Sequence, residues 1–560
     1  MALTVLATYI TVAIIAVLPT AVFHLWLTRW DRFPAFLTPI MACAGTCFLG
    51  YIAFWAFFFR AAAGFTFTAM VLASSIVLLW RARSGLKGFW QTSDFQTVLT
   101  LSLLIGGGYI GILCAPRMHE DPQSLAGNRF LPNMPPDNQL PRFFAERLET
   151  DQSPRHLFGD WNSSDRPPLQ SGLILLLGAP LRLLKVDNEN IGFAAGLWFQ
   201  LLWVPALWAL LRAVGATNGQ AVAVVALTAC TGFGLFYSVY TWPKFGAAAF
   251  VLGGVALILV SARQNFVWAT ALFGLAHLSH GGADFSILAG AVFLVAKRFR
   301  PAPREFAASI LVAGILVAPW LCYQKYYDPP GNRLLKMHLA GVSPIDSRGL
   351  LATLRDSYSA IGWRGAWQNK WENIRQIFSD SFLHLTDLNM SPARAYARKD
   401  KEFFCFFRAL SVAIFALIAM PLTAWLAARI HGVGDRLLAN ATMVTAWALL
   451  TLLLWALIMF GPGTTFIHQG SLAPLLVLFS IPSLFILICS RWWFILLALA
   501  QFISFVTTWW PVPPGVSAKH SSISLTVGLF CLAGLAWCVR STKKFPEATV
   551  PGDGLPQKLA

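Results

Sequence analysis

Apolar runs close to the length of a bilayer crossing recur along almost the whole 560-residue chain. A crossing helix needs about 20 such residues. Candidate segments fall at 4–27, 34–59, 63–81, 96–115, 168–185, 191–213, 219–241, 245–262, 266–279, 283–296, 305–323, 405–428, 437–460, 471–489, 492–510 and 521–538. Those at 168–185, 266–279 and 283–296 are short. The pattern predicts an all-α polytopic membrane protein, a helix bundle with roughly 13–16 hydrophobic segments. The first segment lacks a basic leader and a small-residue cleavage site, so it reads as a retained span.

Two long polar stretches interrupt the pattern, 116–167 and 324–404. Lysine and arginine collect in the short turns "RARSGLKG" (81–88), "SARQN" (261–265), "KRFRPAPRE" (297–305), "RIHGVGDR" (429–436), "SRWW" (490–493) and "VRSTKK" (539–544). Basic short loops stay cytoplasmic, which puts both long stretches on the outer face. Seven segments lie between them, and seven full crossings would put them on opposite faces. One segment must therefore be re-entrant, and 168–185, short and interrupted by Pro180, is the choice; fusing the 266–296 pair is the alternative. The chain divides into N-terminal transmembrane helices (1–115), a first outer loop (116–167), a transmembrane core (168–323), a second outer loop (324–404), C-terminal transmembrane helices (405–544) and a cytoplasmic tail (545–560).

Composition agrees: 57% of the residues are hydrophobic and only 12% charged, against about 25% charged in soluble proteins. The net charge of +17 belongs to the cytoplasmic turns; no basic run has the length or aromatic interleaving of a nucleic-acid surface. Nine cysteines lie in or at the edges of apolar segments, with no CxxC pair, which argues against a disulfide framework or a cysteine metal site.

Candidate chemistry concentrates in the outer loops. Asp137 follows "NMPP" and precedes a helix expected to begin near Gln139. It reads either as a helix N-cap or as a reactive carboxylate beside the bilayer. Glu120, Asp121 and Asp165 are acidic partners or solvated loop charges. After the span ending near 323, Arg333 and Lys336 are i, i+3 neighbours that share a helical face, with His338 off it. They read as a phosphate site or as interfacial anchors. Lys244, in "YTWPKF", stands at the entrance of another span. His277, His280 and Asp284 have a spacing compatible with a metal ion. His468 lies in an outer turn without an assigned role. Trp363, Trp367 and Trp371 repeat at i, i+4, i+8, as on one face of a helix lying in the membrane surface or lining a cleft.

An acidic residue opening the first outer loop, the amphipathic "FFAERL", and "DRPPL" entering the next apolar segment together resemble the GT-C membrane glycosyltransferases, in the branch of protein mannosyltransferases and aminoarabinose transferases. The resemblance covers mainly residues 135–300. Asn138 stands where that branch often has a second acid, Arg166 replaces its usual histidine before Pro-Pro-Leu, and three extra apolar segments come first. The resemblance implies a GT-C-like bundle in a bacterial inner membrane and a polyprenyl-phosphate-linked sugar donor. It implies Asp137 as general base or metal ligand, with a divalent metal compatible but no cofactor required. It also implies a polar group near the donor phosphate at the turn that holds His280.

The function expected is transfer of a sugar from a polyprenyl phosphate to a hydroxyl on a lipid, glycan or protein acceptor, among membrane lipids and without nucleic acid. A carboxylate supplies the base and cations hold the departing phosphate. The competing classes are a transporter or lipid-linked oligosaccharide flippase, and a polysaccharide polymerase or ligase. A transporter would place polar groups on broken helices at the midplane, often in repeats. Here they gather in outer loops, and no repeat is apparent.

Overall fold

A computed structural model describes residues 1–83, 93–116, 120–131, 134–378, 388–461, 472–516 and 519–541. The protein is all-α and polytopic. Among the described residues, twelve helices are long and apolar enough to cross a membrane, or thirteen if Asn218–Ala229 and Gly232–Val239, bent by 72°, count as one span. The one sheet described is a short antiparallel pair, β1 (His156–Phe158) and β2 (Trp161–Asn162). Helices suit such a chain because each span satisfies its own backbone groups where no water can.

The parity problem between the outer loops has a geometric answer. Helix Leu169–Leu183 begins three residues after Arg166, which pairs with Asp137. At its far end Arg182 pairs with Glu149, and just beyond the turn Glu189 meets Arg142 at 3.1 Å. Both ends therefore stay against the first-loop residues 137–149, and at 15 residues the helix is shorter than a crossing needs. The helical stretch Lys244–Ser279 is not one rod. Its backbone is extended at Ser261, and the chain folds back so that Gly253 and Gly254 face Leu272 and Phe273. Asn265 closes the turn by donating to the Leu257 carbonyl at 3.1 Å. Arg32 donates to the carbonyl of Gln264 at 2.8 Å, tying this turn to the one after the first helix. Gly281–Ala296 remains a separate short apolar helix. The crossings left between the long loops are even in number, so both loops lie at one end of the bundle.

Direct contacts join the two loops there. Ser163 donates to Asp328 at 2.7 Å and accepts from the Tyr323 hydroxyl at 2.6 Å. The Ser164 amide also donates to Asp328, at 2.8 Å, and Gln324 donates to the Ser164 carbonyl at 2.9 Å. Ser163, Tyr323 and Asp328 are all buried.

The loops carry structure of their own. The first holds helices Pro122–Phe130 and Leu140–Glu149, joined in part by a 3-10 turn, Pro136–Asn138. The second holds Arg333–Ala340, Leu350–Phe378 and Pro392–Phe404. Leu350–Phe378 bends at Gly362, whose φ of 61° suits a residue without a Cβ. Lys370 reaches back across the bend to the Tyr358 hydroxyl at 2.8 Å. The three tryptophans lie past the bend and are exposed, 79% at Trp363, 58% at Trp367 and 53% at Trp371. Such a bare aromatic stripe at the outer end of a bundle suits the headgroup region of a bilayer.

Candidate functional site

The first outer loop carries Asp137 into the bundle rather than onto a helix end. Helix Leu140–Glu149 is N-capped by Gln139 without a side-chain bond, so the N-cap reading of Asp137 does not hold. Asp137 sits in the preceding 3-10 turn and is 3% exposed. Its carboxylate turns toward the core. One oxygen accepts from Arg166 at 2.7 Å, and the other accepts from the Tyr240 hydroxyl at 3.3 Å. Tyr240 also contacts the Pro135 carbonyl. Burial first, and the adjacent Asp137 charge second, hold the Tyr240 phenol far above its ordinary value, so it stays a donor.

Two other predicted residues join Asp137. Lys244 opens the first turn of its helix, where the dipole is already positive. It is 3% exposed, and its ammonium lies 3.3 Å above the Trp242 ring with no hydrogen-bond partner. The amides of Phe245 and Gly246 are capped by Gln200, at 3.0 and 3.3 Å. His280 caps the short 3-10 turn that follows, its Nδ1 accepting from the Gly282 amide at 3.0 Å. Burial, then the charges of Lys244, Arg166 and His338, push His280 well below its ordinary range. It is therefore neutral near pH 7, and with Nδ1 accepting, the ring proton must sit on Nε2. Lys244, His280 and Ser286 line one small cavity of about 20 Å³, room for roughly one water. The Ser286 hydroxyl also lacks a partner. The cavity thus has a cation and two O–H or N–H donors in its wall.

The other predicted residues divide. His338, on helix Arg333–Ala340, joins the group acting on His280. Arg333 and Lys336 do not serve as a ready phosphate pair. Arg333 contacts Asp160, lies 3.5 Å from Asp165, and donates to the Ser343 carbonyl. Lys336 is buried and spends its ammonium on the carbonyls of Asp346 and Arg348. Their i, i+3 spacing correctly put them on neighbouring positions, but what they meet is other parts of the loops. Asp121 caps helix Pro122–Phe130 by accepting from the Gln123 and Ser124 amides, at 2.9 and 3.1 Å. Glu120 accepts from Asn128 at 2.8 Å. Asp165 accepts from the Asn162 amide at 3.1 Å; burial raises its carboxyl, opposed by that bond, Arg333 and Arg166. These three acids serve the loop framework rather than partnering Asp137.

The histidine pair does not make a metal site. His277 pairs with Asp284 at 2.9 Å, while His280 is committed to Gly282. Among the described residues no group of three or more His, Cys, Asp or Glu side chains converges. A divalent ion at Asp137 would also meet Arg166 on the same carboxylate and the charge of Lys244 close by. The donor set does not fit such an ion. His468 lies outside the described residues.

Arg166, Tyr240 and Ser286 were not among the predicted site residues. Arg166 stood out only as a departure before Pro-Pro-Leu. A cation at the end of the same loop, directly before an apolar segment, is the signal that would have found it. Trp161 completes the arrangement: Arg166 lies over its ring at 4.3 Å and Arg333 at 5.7 Å.

No protein-family model, curated protein or solved structure matches this chain.

Proposed function

We propose that the protein is a membrane glycosyltransferase of GT-C type that moves a sugar from a polyprenyl phosphate to an acceptor hydroxyl on the outer side of a bacterial inner membrane. The observation that carries this reading is one buried carboxylate, Asp137, beside two buried cations, Arg166 and Lys244, at the outer end of the bundle. A buried lysine nitrogen with no hydrogen-bond partner, next to the Asp137–Arg166 pair, is completed by an anion. In this reading a single phosphate oxygen of the lipid donor fills the water-sized cavity, where Lys244 and Nε2–H of His280 donate to it.

In this reading Asp137 takes the proton of the acceptor hydroxyl. The hydroxyl oxygen bonds to the anomeric carbon as the bond from that carbon to the phosphate oxygen breaks. The electron pair leaves with the phosphate, whose growing charge Lys244 and His280 stabilise. Asp137→Asn keeps the shape and removes the base. The test is transfer from radiolabelled polyprenyl-phosphate sugars by the purified protein in lipid nanodiscs. Transfer by the wild type and none by Asp137→Asn is expected. Equal transfer by both removes Asp137 from catalysis, and no transfer from any such donor by the wild type ends the reading.

A further inference from the structure

The base just assigned is in an unready state. Asp137 has both oxygens engaged, so neither stands open to an acceptor hydroxyl. Arg166, in contrast, is underused. Of its five N–H groups, one is seen bonded, to Asp137, and its buried Nε has no partner. It is 4% exposed and rests on Trp161 rather than on a second acid. Its partner Asp137 is joined to Lys244 by direct contacts: Asp137 to the Tyr240 hydroxyl at 3.3 Å, Tyr240 to Trp242 at 5.5 Å between ring centroids, and Trp242 to the Lys244 ammonium at 3.3 Å. So one arginine, with spare donors, stands within electrostatic reach of both the base and the cation-lined cavity.

We infer that Arg166 is a positioning residue that exchanges partners: a phosphate held by Lys244 and His280 draws the guanidinium off Asp137 and so releases the base. The inference rests on the glycosyltransferase reading for the nature of the anion. Arg166 suits the exchange because its planar fork binds phosphate in two-point fashion as well as it binds a carboxylate. Tyr240 keeps its hydrogen bond to Asp137 and holds the freed carboxylate in place. The arrangement ties proton abstraction to donor binding, so the base is exposed only when a sugar is present to receive the nucleophile. A water molecule arriving alone would find Asp137 already occupied.

Binding of farnesyl phosphate to the detergent-purified full chain tests this without turnover. Removing the Asp137 charge frees Arg166 in advance, so Asp137→Asn should tighten binding about tenfold, near 1.4 kcal/mol. Loss of a nearby negative charge alone would do something similar. The double variant separates the two causes. In an Arg166→Gln background, Asp137→Asn should change affinity less than twofold if exchange operates, and the full tenfold if only simple repulsion does. The wild type offers a readout that does not depend on Arg166→Gln folding. Farnesyl phosphate should shift the carboxylate stretch of one aspartate in the infrared difference spectrum, and that band should vanish in Asp137→Asn. A persistent tenfold gain in the Arg166→Gln background, or binding with no such band, overturns the exchange and leaves the glycosyltransferase reading standing. Failure of farnesyl phosphate to bind the wild type overturns both.

Discussion

Two buried cationic clusters sit at the outer end of this protein, and they differ in what the cations meet. In one, Arg129, Arg398 and Lys399 gather at the C-terminal end of helix Arg491–Trp509. Arg129 donates to the carbonyls of Trp510 and Pro511, Lys399 to Pro511 at 2.7 Å, and Arg398 to Thr507 at 2.7 Å. Thr507 and the C-cap Trp510 are among the carbonyls this helix leaves unpaired at its negative dipole end, and Pro511 follows directly. Glu402 completes the cluster by accepting from the Trp509 indole at 2.7 Å. In the other cluster, Lys244 heads a helix, where the dipole repels it, and has no hydrogen-bond partner. The first cluster is consumed by the fold. The second has binding capacity left over. Burial and charge alone do not distinguish them; the direction of the helix beneath does.

The largest effect should come from breaking the base of the second cluster. Asp137→Asn should lower turnover by roughly 10²–10⁴-fold, the usual contribution of general acid–base catalysis, while the donor still binds. Turnover and donor affinity measured on the same preparation check this. Next comes the lysine. Lys244→Met should weaken donor binding about tenfold or more, since a charged hydrogen bond contributes about 1.5–3 kcal/mol. Arg333→Ala should leave donor affinity within about twofold and lower thermal stability instead, because Arg333 spends its donors on Asp160 and Ser343. A donor titration beside a melting curve for each variant sets the two apart.

Stability alone then sharpens the contrast. Without donor, Arg398→Met should destabilise by roughly 1–3 kcal/mol, because it strands the Thr507 carbonyl. Lys244→Met should be neutral or stabilising, since it removes a buried cation that nothing bonds. Melting temperatures of the two variants in one detergent decide the matter.

The smallest effect is a dependence on pH. Burial, opposed by the Trp509 bond and then by Arg408, Arg398 and Lys399, raises Glu402 to about 7. Between about 4.5, its ordinary value, and about 7, the folded protein holds this proton more often than the unfolded chain does. Stability therefore falls as pH rises through that window. Lys399 has the opposite slope: burial, then Arg129 and Arg398, push it down to about 6, so stability rises from there toward its ordinary 10.5. Glu402→Gln should abolish the fall below pH 7 and leave the rise above it. A melting series across pH that keeps the lower slope in Glu402→Gln would assign that slope to another group.

Much of the fold is legible in the sequence because crossing a bilayer imposes a length and an apolar content that few other structures share. The basic turns put both long loops on one face, where Ser163 and Asp328 join them, and Pro180 with a short apolar run marked a helix shorter than a crossing. The site was legible only where position along the chain implied position in depth. Lys244 and His280 stand at the ends of spans and line one cavity. Arg333 and Lys336 stand there too, but helical spacing says which residues share a face and nothing about what that face meets. Asp160 and the carbonyls of Asp346 and Arg348 decided that. Tyr240 and Ser286 lie inside apolar stretches, where a hydroxyl is ordinarily bonded to its own helix and carries no separate signal.

The contact between Ser163 and Asp328 spans 165 residues of chain. A ribosome adding about 5–20 residues per second needs roughly 8–33 s to make that interval. Through that time the first long loop has been made while the partner that locks it has not been synthesised. Asp137 and Arg166 can pair early, being 29 residues apart, but the loop that holds them stays untethered until the span ending at Tyr327 is inserted. Assembly of this end is thus timed by translation of the second half of the protein, and a chain stalled before residue 328 would leave the Ser163 hydroxyl and the Ser164 amide without the carboxylate they donate to.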